Sequence, residues 1–163
     1  GDIVRVAPKP NGFLVLDEVP PSIHLWLVST GTGLGPFLSI LNTPEPWQRF
    51  QRVVLVHAAR TPDELTYRRA IARVAESEPK RFTYIPVLSR EPADYALAGR
   101  IPQAIADGRL EARADLGFDA ALAHVMLCGN PAMVADATTA LTTRGFKKHK
   151  RKEPGQISME TYW

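Results

Sequence analysis

The sequence has 163 residues, of which 45% are hydrophobic and 23% are charged, and its formal net charge is +3. This composition is typical of one globular domain with its own core, and the mild positive charge favours an anionic ligand or partner without identifying it. The single cysteine, Cys128, excludes an intramolecular disulfide and argues against a cysteine-based zinc site, so we predict no metal site.

No apolar run has the length of a membrane span and no signal peptide is recognisable, which predicts a cytoplasmic protein. A reducing compartment also suits a chain with one cysteine. The sequence starts with GDIVRV and lacks an initiator methionine, so we expect it to be cut from a longer polypeptide.

Short apolar runs bounded by Pro and Gly predict strands, and the segments between them predict helices. Residues 3–6 and 12–16 predict a hairpin-like lead-in. The predicted strands are residues 23–29, 52–60, 81–90, 124–129 and 156–163. The first predicted helix starts around Pro36, and the second covers residues 63–78 and is capped by Thr61. Two further helices are predicted over residues 100–108 and 130–145.

This alternation predicts a doubly wound α/β domain with a parallel sheet of about five strands and helices on both faces. In such sheets, ligands bind beyond the carboxyl ends of the strands, where the strand order reverses. The segments that follow each predicted strand, STGTGLGP, AAR, SRE and CGNP, are therefore the candidate ligand loops.

The first of these loops contains Gly31, Gly33 and Gly35, which are interleaved with Thr30 and Thr32. Glycines let a ligand approach the backbone closely, and the helix start that follows presents free N–H groups to an anion. The spacing differs from the G-x-G-x-x-G fingerprint, and no Gly-Lys-Ser/Thr triplet is present, which excludes a P-loop. The pattern favours a nucleotide-binding turn; a tight turn without a ligand is the alternative.

The second and third loops end in Arg60 and Arg90, and Arg100 lies in the connection after the third strand. Arginine pairs well with phosphate oxygens. NAD-binding proteins tend to place an acidic residue after the second strand, where this chain has Arg60. One arginine alone is more often a solvated surface charge, but three in these positions favour the ribose 2′-phosphate of NADP.

The fourth loop contains Cys128, Gly129 and Asn130. A buried cysteine at a strand end is more often a packing residue than a nucleophile. His124 lies on the same strand, about 13 Å away along an extended backbone. The sequence therefore argues against a Cys–His nucleophile pair.

The run RGFKKHKRK, residues 144–152, carries much of the positive charge. It has one aromatic residue and no nucleic-acid-binding motif, so a solvated surface or a site for an acidic protein partner is favoured over nucleic-acid binding. The chain ends in METYW. If the last strand is central in the sheet, Tyr162 and Trp163 reach the ligand edge, where Trp163 can stack on a flat ring; simple packing is the alternative.

These motifs in this order, from STGTGLGPFLSIL through VLVHAAR, VLSRE, GRIP and HVMLCGNPAMV to PGQISMETYW, resemble the bacterial ferredoxin/flavodoxin–NADP(+) reductases. The resemblance is to the subgroup whose chains end in Tyr-Trp, and it extends over essentially the whole sequence. It implies a ferredoxin reductase-like NADP-binding domain, the cofactors NADP and FAD, and hydride transfer between them with electron exchange to ferredoxin or flavodoxin.

The resemblance also implies roles for individual residues. The implied NADP site consists of Thr30, Gly31, Thr32, Gly33, Gly35, Ala59, Arg60, Ser89, Arg90, Arg100, Cys128, Gly129, Asn130 and Met133. The implied FAD contacts are Thr32, Tyr162 and Trp163. The implied catalytic residues are Cys128, which shapes the hydride-transfer geometry beside the nicotinamide, Thr32, which lies where the nicotinamide meets the flavin, Trp163, which stacks on the flavin, and Glu160, which handles protons near the flavin. The basic run 144–152 would dock acidic ferredoxin or flavodoxin.

One departure from the family is large, because the Arg-x-Tyr-Ser/Thr motif of its FAD-binding barrel is missing here. Residues 1–20 resemble only a remnant of that barrel and its linker, and residues 21–163 the NADP-binding domain. We therefore expect this chain alone to retain FAD poorly. The alternatives are a reductase module that serves another acceptor and a non-catalytic nucleotide-binding fragment. We expect a monomer that binds neither nucleic acid nor membrane.

Overall fold

The structure, a computed structural model, describes Ile3, Gly12 and residues 14–161. This described part contains six strands: β1 His24–Thr30, β2 Arg52–Ala59, β3 Phe82–Leu88, β4 Leu97–Ala98, β5 Ala123–Gly129 and β6 Ile157–Thr161. They form one sheet in the order β4-β3-β2-β1-β5-β6, in which all neighbouring strands run parallel. The predicted fold class is confirmed, with β4 as an addition that is too short to form an apolar run.

The strand order reverses beside β1. From β1 the chain builds outward through β2, β3 and β4, and it then returns to place β5 and β6 on the other side of β1. A doubly wound sheet opens a crevice at such a point, beyond the carboxyl ends of the two strands that flank it. The loops that follow β1 and β5 therefore flank this crevice.

Helices cover both faces of the sheet. The described helices are α1 Leu34–Leu41, α2 Glu45–Arg49, α3 Arg68–Ser77, α4 Ile101–Ala106, α5 Arg109–Ala114 and α6 Pro131–Thr142. Side chains of α1–α3 join the core on one face, and those of α4–α6 join the core on the other. Three-residue 3-10 turns occur at Leu16–Glu18, Gly31–Gly33 and Pro62–Glu64. None of the helices in the described ranges has the length and hydropathy needed to cross a bilayer.

The helix predicted over residues 63–78 starts too early, because α3 begins only at Arg68. A 3-10 turn comes first, Leu65 leaves helical geometry to enter the core, and Tyr67 has a left-handed φ of 57°. The Thr61 side chain caps neither element, so that part of the prediction is wrong. Burial of Leu65 redirects the backbone, and the continuous helix that local spacing favours is lost.

Two further predictions concern the ends of the chain. The hairpin-like lead-in lies largely outside the described residues, and Leu16–Glu18 form a 3-10 turn instead of a strand. The last strand is not central, because among the described strands β6 has β5 as its single neighbour and ends the strand order, with one further bridge from Ile157 to Lys148. It nevertheless runs parallel to β5, so its carboxyl end points to the same edge as the candidate ligand loops.

Among the described residues, Trp26 on β1 is the largest fully buried side chain, and it belongs to the core on the α4–α6 face. Its ring stacks on Phe118 at a centroid distance of 4.1 Å, and Phe118 meets the edge of Phe146 at 6.2 Å. This aromatic stack joins the central strand to the segments before β5 and after α6.

We expect Trp26→Ala to lower the free energy of unfolding by about 3–5 kcal/mol, because it opens a large cavity that the sheet backbone cannot close. Trp47→Ala is the matched control, since Trp47 is only partly buried against the other face. Urea denaturation of both variants measures the difference. A Trp26→Ala loss no larger than that of Trp47→Ala would contradict the role assigned to the stack.

Two fully buried histidines, His57 on β2 and His124 on β5, make stability depend on pH. Burial lowers the pKa of His57 to about 4 and, together with the nearby His149, that of His124 to about 3, from 6.5. The unfolded chain takes up protons near pH 6.5 while the folded protein stays neutral there. Stability is therefore complete above about pH 6.5 and is lost as pH falls towards 4 and 3.

We expect the free energy of unfolding to fall between pH 7 and pH 5 by about 2 kcal/mol for each of these histidines. In His57→Leu one of the two groups no longer titrates, so the fall should shrink by about half. Urea titrations at the two pH values measure both quantities. Equal stability of the unmodified protein at pH 7 and pH 5 would refute the assignment.

Candidate functional site

The loops after β1 and β5 pack directly against each other at the crevice. A Cβ built on Gly33 would overlap the backbone of Cys128 and Gly129. A Cβ built on Gly129, whose φ is +132°, would overlap Thr30. Only glycine permits this approach at both positions, so the floor of the crevice is formed by backbone.

Thr30 and Asn130 lock the two loops together. The Thr30 hydroxyl accepts a hydrogen bond from the backbone N–H of Asn130 at 2.9 Å. The Asn130 side chain in turn accepts from the N–H groups of Ala132 at 2.9 Å and Met133 at 3.3 Å, which caps α6. The predicted start of this helix at Asn130 is confirmed, and Met133 packs half-buried against the core.

The turn between β1 and α1 is open on its outer side. Residues Gly31–Gly33 form the 3-10 turn that leads into α1, and no side chain caps either element. A Cβ at Gly31 or Gly35 would meet no atom within 4 Å, and Thr32 between them is exposed. The turn therefore offers accessible backbone at a helix N-terminus, an environment that suits an anion.

The three predicted arginines follow three neighbouring strands. Arg60 comes directly after β2, Arg90 two residues after β3, and Arg100 two residues after β4. The Arg90 N–H donates to the Arg60 carbonyl at 3.0 Å, and the Gly99 N–H donates to the Leu88 carbonyl at 2.8 Å. All three arginines are exposed and follow strands at their carboxyl ends, the edge of the sheet that also carries the glycine turn; together they are called the cationic cluster below.

Ala59 and Ser89 join the loops that carry the first two arginines. The Ser89 N–H donates to the Ala59 carbonyl at 3.1 Å, and the Ser89 hydroxyl lies 3.4 Å from the same oxygen. The structure thus brings these predicted site residues next to Arg60 and Arg90.

Glu64 belongs to this cluster, although the sequence analysis missed it. Its carboxylate lies 2.5 Å from Arg60 Nη2 and accepts the Arg60 backbone N–H at 2.9 Å. Hydrogen bonding to the Arg60 side chain is the main cause that lowers the pKa of Glu64, and the charge of Arg90 adds to it. The i, i+4 spacing of Arg60 and Glu64 was the sequence signal for this pair.

Cys128 lies in a row of polar residues across the sheet. In register, His57 on β2 pairs with Ser29 on β1, Ser29 with Cys128 on β5, and Cys128 with Glu160 on β6. The first three side chains are fully buried beneath the α1–α3 layer, and the Ser29 hydroxyl donates to the Val56 carbonyl at 3.1 Å. Cys128 is therefore buried in the wall of the crevice, between Ser29 and Glu160 in register.

The histidine on the Cys128 strand has another partner. His124 Nε2 lies 2.9 Å from the Ser158 hydroxyl, and both side chains are buried. This arrangement agrees with the expectation that Cys128 and His124 do not form a nucleophile pair.

The end of β6 closes the described part of the site. Glu160 is half-buried, and its carboxylate oxygens lie 3.4 and 3.5 Å from the position that a Cβ of Gly12 would take. Tyr162 and Trp163 lie outside the described residues, so their predicted flavin contacts stay predictions.

The basic run passes beside the start of β6, where Lys148 forms a parallel bridge with Ile157 and the His149 N–H donates to the Ile157 carbonyl at 2.7 Å. Several of its charges have partners: Arg144 pairs with Glu111 at 2.5 Å, Lys150 with Glu153 at 2.9 Å and Arg151 with Glu18 at 2.8 Å. Lys147, Lys148 and Lys152 are exposed. Part of the run therefore fastens the loop before β6, and part faces solvent.

Comparison with known proteins agrees with this geometry. The family model described as "Oxidoreductase NAD-binding domain" matches residues 27–139. The chain belongs to this family. The matched range contains both loops of the crevice and all three arginines of the cationic cluster.

Curated relatives have more specific names than the family model. The chain is 40% identical over 163 residues to a flavodoxin/ferredoxin–NADP reductase of Buchnera aphidicola, covering 99% of this chain and 66% of that protein. It is 43% identical over 164 residues to the protein of the same name from Escherichia coli, covering 100% of this chain and 66% of that protein. The chain thus spans just under two thirds of the length of these relatives.

Solved structures give the same result. A ferredoxin NADP+ reductase from Neisseria gonorrhoeae with bound FAD and NADP matches with a TM-score of 0.88 and 35% identity, over 94% of this chain and 61% of that one. A cytochrome P450 reductase from Amycolatopsis matches with a TM-score of 0.68 and 28% identity, over 94% of this chain and 43% of that one. These comparisons confirm the resemblance stated from the sequence motifs.

Substitution of Gly33, which packs against the β5 loop, and of Gly35, which faces open space, should affect stability differently. We expect Gly33→Ala to lower the free energy of unfolding by about 1–3 kcal/mol, because its Cβ must displace the β5 loop. Gly35→Ala places a methyl group in open space within α1 and should leave stability unchanged or slightly higher. Urea denaturation compares the two, and equal losses would contradict the close approach described here.

Proposed function

We propose that this chain is the NADP-binding part of a ferredoxin/flavodoxin–NADP(+) reductase, an enzyme that transfers a hydride between NADP(H) and FAD. The observation that carries this proposal is the combination of an open glycine turn at the crevice with Arg60, Arg90 and Arg100 on adjacent strand ends. In the same proposal, residues 21–163 form the NADP-binding domain and residues 1–20 the end of an FAD-binding barrel.

The residues present fit NADP in two places. The accessible backbone at Gly31 and Gly35 suits the pyrophosphate, because a side chain there would stand in the open space. The arginines suit the 2′-phosphate, because their guanidinium groups are exposed and pair well with phosphate oxygens. A ligand that spans from the turn to the arginines crosses the loops after β1 and β2.

When bound, NADP(H) would supply the carbon that gives or takes the hydride, and FAD would supply the group that accepts or donates it in turn. The chain's own residues bind and orient. Thr30, Gly129 and Asn130 fix the crevice, and the wall that contains Cys128 limits how deeply a ring can enter. Glu160 is proposed to hold or pass a proton at this edge, and its half-buried position beside Gly12 supports that role. Thr32, Tyr162 and Trp163 are proposed to contact FAD.

Ferredoxin or flavodoxin is proposed as the electron-transfer partner, with docking at the exposed lysines of the run 144–152. The names of the relatives and the positive charge of that run support this proposal. A monomer in the cytoplasm is part of the same proposal.

A second candidate is a reductase module that serves another acceptor, such as a cytochrome. The match to the Amycolatopsis cytochrome P450 reductase, at 28% identity, favours keeping it. Turnover by the protein that carries its FAD-binding domain, with ferredoxin, flavodoxin and a cytochrome as acceptors in parallel, separates the two candidates.

The 2′-phosphate assignment is tested by Arg60→Ala and Arg90→Ala. Each should weaken NADPH binding by about 1.5–3 kcal/mol, about tenfold to a hundredfold, and leave NADH binding nearly unchanged, because only NADPH carries the phosphate. Calorimetric titration of the chain measures both affinities. Arg73→Ala, an exposed arginine on α3, is the matched control. Equal losses for the two nucleotides would refute the assignment.

A further inference from the structure

The carboxylate of Glu64 binds both the guanidinium group and the backbone N–H of Arg60. One oxygen lies 2.5 Å from guanidinium Nη2, and the other accepts the backbone N–H of Arg60 at 2.9 Å. Both side chains remain solvent-accessible, at 61% for Arg60 and 36% for Glu64. The carboxylate therefore fills the donors at the end of β2 from a position that solvent and a ligand can still reach.

The backbone around Glu64 is built to hold it there. Pro62 starts the 3-10 turn Pro62–Glu64, and the Glu64 N–H donates to the Thr61 carbonyl at 3.2 Å. The next residue, Leu65, is buried with 4% exposure and anchors the turn in the core. Arg68 braces the turn from below, because its guanidinium donates to the carbonyls of Pro62 at 2.5 Å and Leu65 at 3.1 Å.

The Glu64 carboxylate stands where an anionic ligand of the cationic cluster would bind. The N–H groups of Arg90 and Glu91 donate to the Arg60 carbonyl at 3.0 and 3.3 Å, which holds the Arg90 loop against Arg60. The charge of Arg90 contributes to the lowered pKa of Glu64, so the two groups interact through space. Glu64 thus contacts Arg60 and lies within electrostatic range of Arg90, two of the cations that a phosphate monoester would use.

We propose that Glu64 is a specificity-determining residue whose carboxylate occupies Arg60 until a phosphate monoester displaces it. The inference rests on the proposed function, because it takes Arg60 as a 2′-phosphate ligand. A phosphate dianion carries more charge than a carboxylate and offers more acceptor oxygens, so it displaces Glu64. The displaced carboxylate remains nearby and repels the phosphate, which weakens NADPH binding and leaves NADH binding unaffected.

Glu64→Gln tests the inference, because it removes the charge and preserves the size of the side chain. We expect NADPH and 2′,5′-ADP to bind about two- to fivefold more tightly, the range set by an exposed ion pair, while NADH and 5′-AMP bind as before. Glu64→Asp, which keeps the charge on a shorter stem, should give a smaller gain. The gain should shrink in salt of about 0.5 M, where exposed charges are screened. Calorimetric titrations of the chain measure these affinities, and thermal unfolding checks each variant.

Asp63→Asn is the matched control, because it removes the same charge from the neighbouring position of the same turn. A gain in Asp63→Asn equal to that in Glu64→Gln would overturn the inference, since the effect would then be one of general charge. Tighter binding of NADH by the same factor, or unchanged or weaker NADPH binding in Glu64→Gln, would also overturn it. Titration with inorganic phosphate shows whether the site selects phosphate itself or the nucleotide that carries it.

Arg60→Ala separates this inference from the proposed function. If Arg60→Ala weakens NADPH alone and Glu64→Gln has no effect, the 2′-phosphate clamp stands and the role of Glu64 falls. If Arg60→Ala does not distinguish NADPH from NADH, the clamp falls and the role of Glu64 falls with it.

Discussion

The close approach of two backbone segments at the switch point determines the rest of the site. Gly33 lies on the backbone of Cys128 and Gly129, and Gly129 lies on Thr30, so a side chain at either glycine would force the loops apart. That contact sets where α1 and α6 begin, because each helix starts directly after one of the loops. Gly31 and Gly35 take no part in this contact. The space beside them is open, so a ligand can approach their backbone.

The parallel sheet divides its carboxyl edge into two parts with different chemistry. The loops after β1 and β5 present glycine backbone and a helix N-terminus, whereas the loops after β2, β3 and β4 present arginine side chains. Neighbouring strands lie about 4.8 Å apart, so side chains at three successive ends can converge on one group. An elongated ligand with an anionic centre and a second anion at one end matches this division, and a small compact anion uses only half of it.

The features predicted from sequence are those that depend on local patterns. The long strands follow from uninterrupted apolar runs, and Asn130-Pro131 marks the start of α6. The features that were missed depend on contacts distant in sequence: β4 exists because two residues pair with β3, and the helix at residue 63 is lost because Leu65 enters the core. The row from His57 to Glu160 likewise becomes visible only when strand order and register are known.

Strand order and direction place the proposed nucleotide site and the proposed docking surface in different parts of the sheet. β6 carries Glu160 to its carboxyl end, at the edge of the sheet proposed to bind the nucleotide, while the basic run passes beside the start of β6 at Lys148 and is joined to Glu18 through Arg151. The basic run thus lies beside β6 at one end of the strand order, whereas the arginine cluster follows β2, β3 and β4 at the other end. Because β1 and β5 separate the basic run from the three arginines, the proposed partner and the proposed 2′-phosphate contact would use different surfaces of this domain.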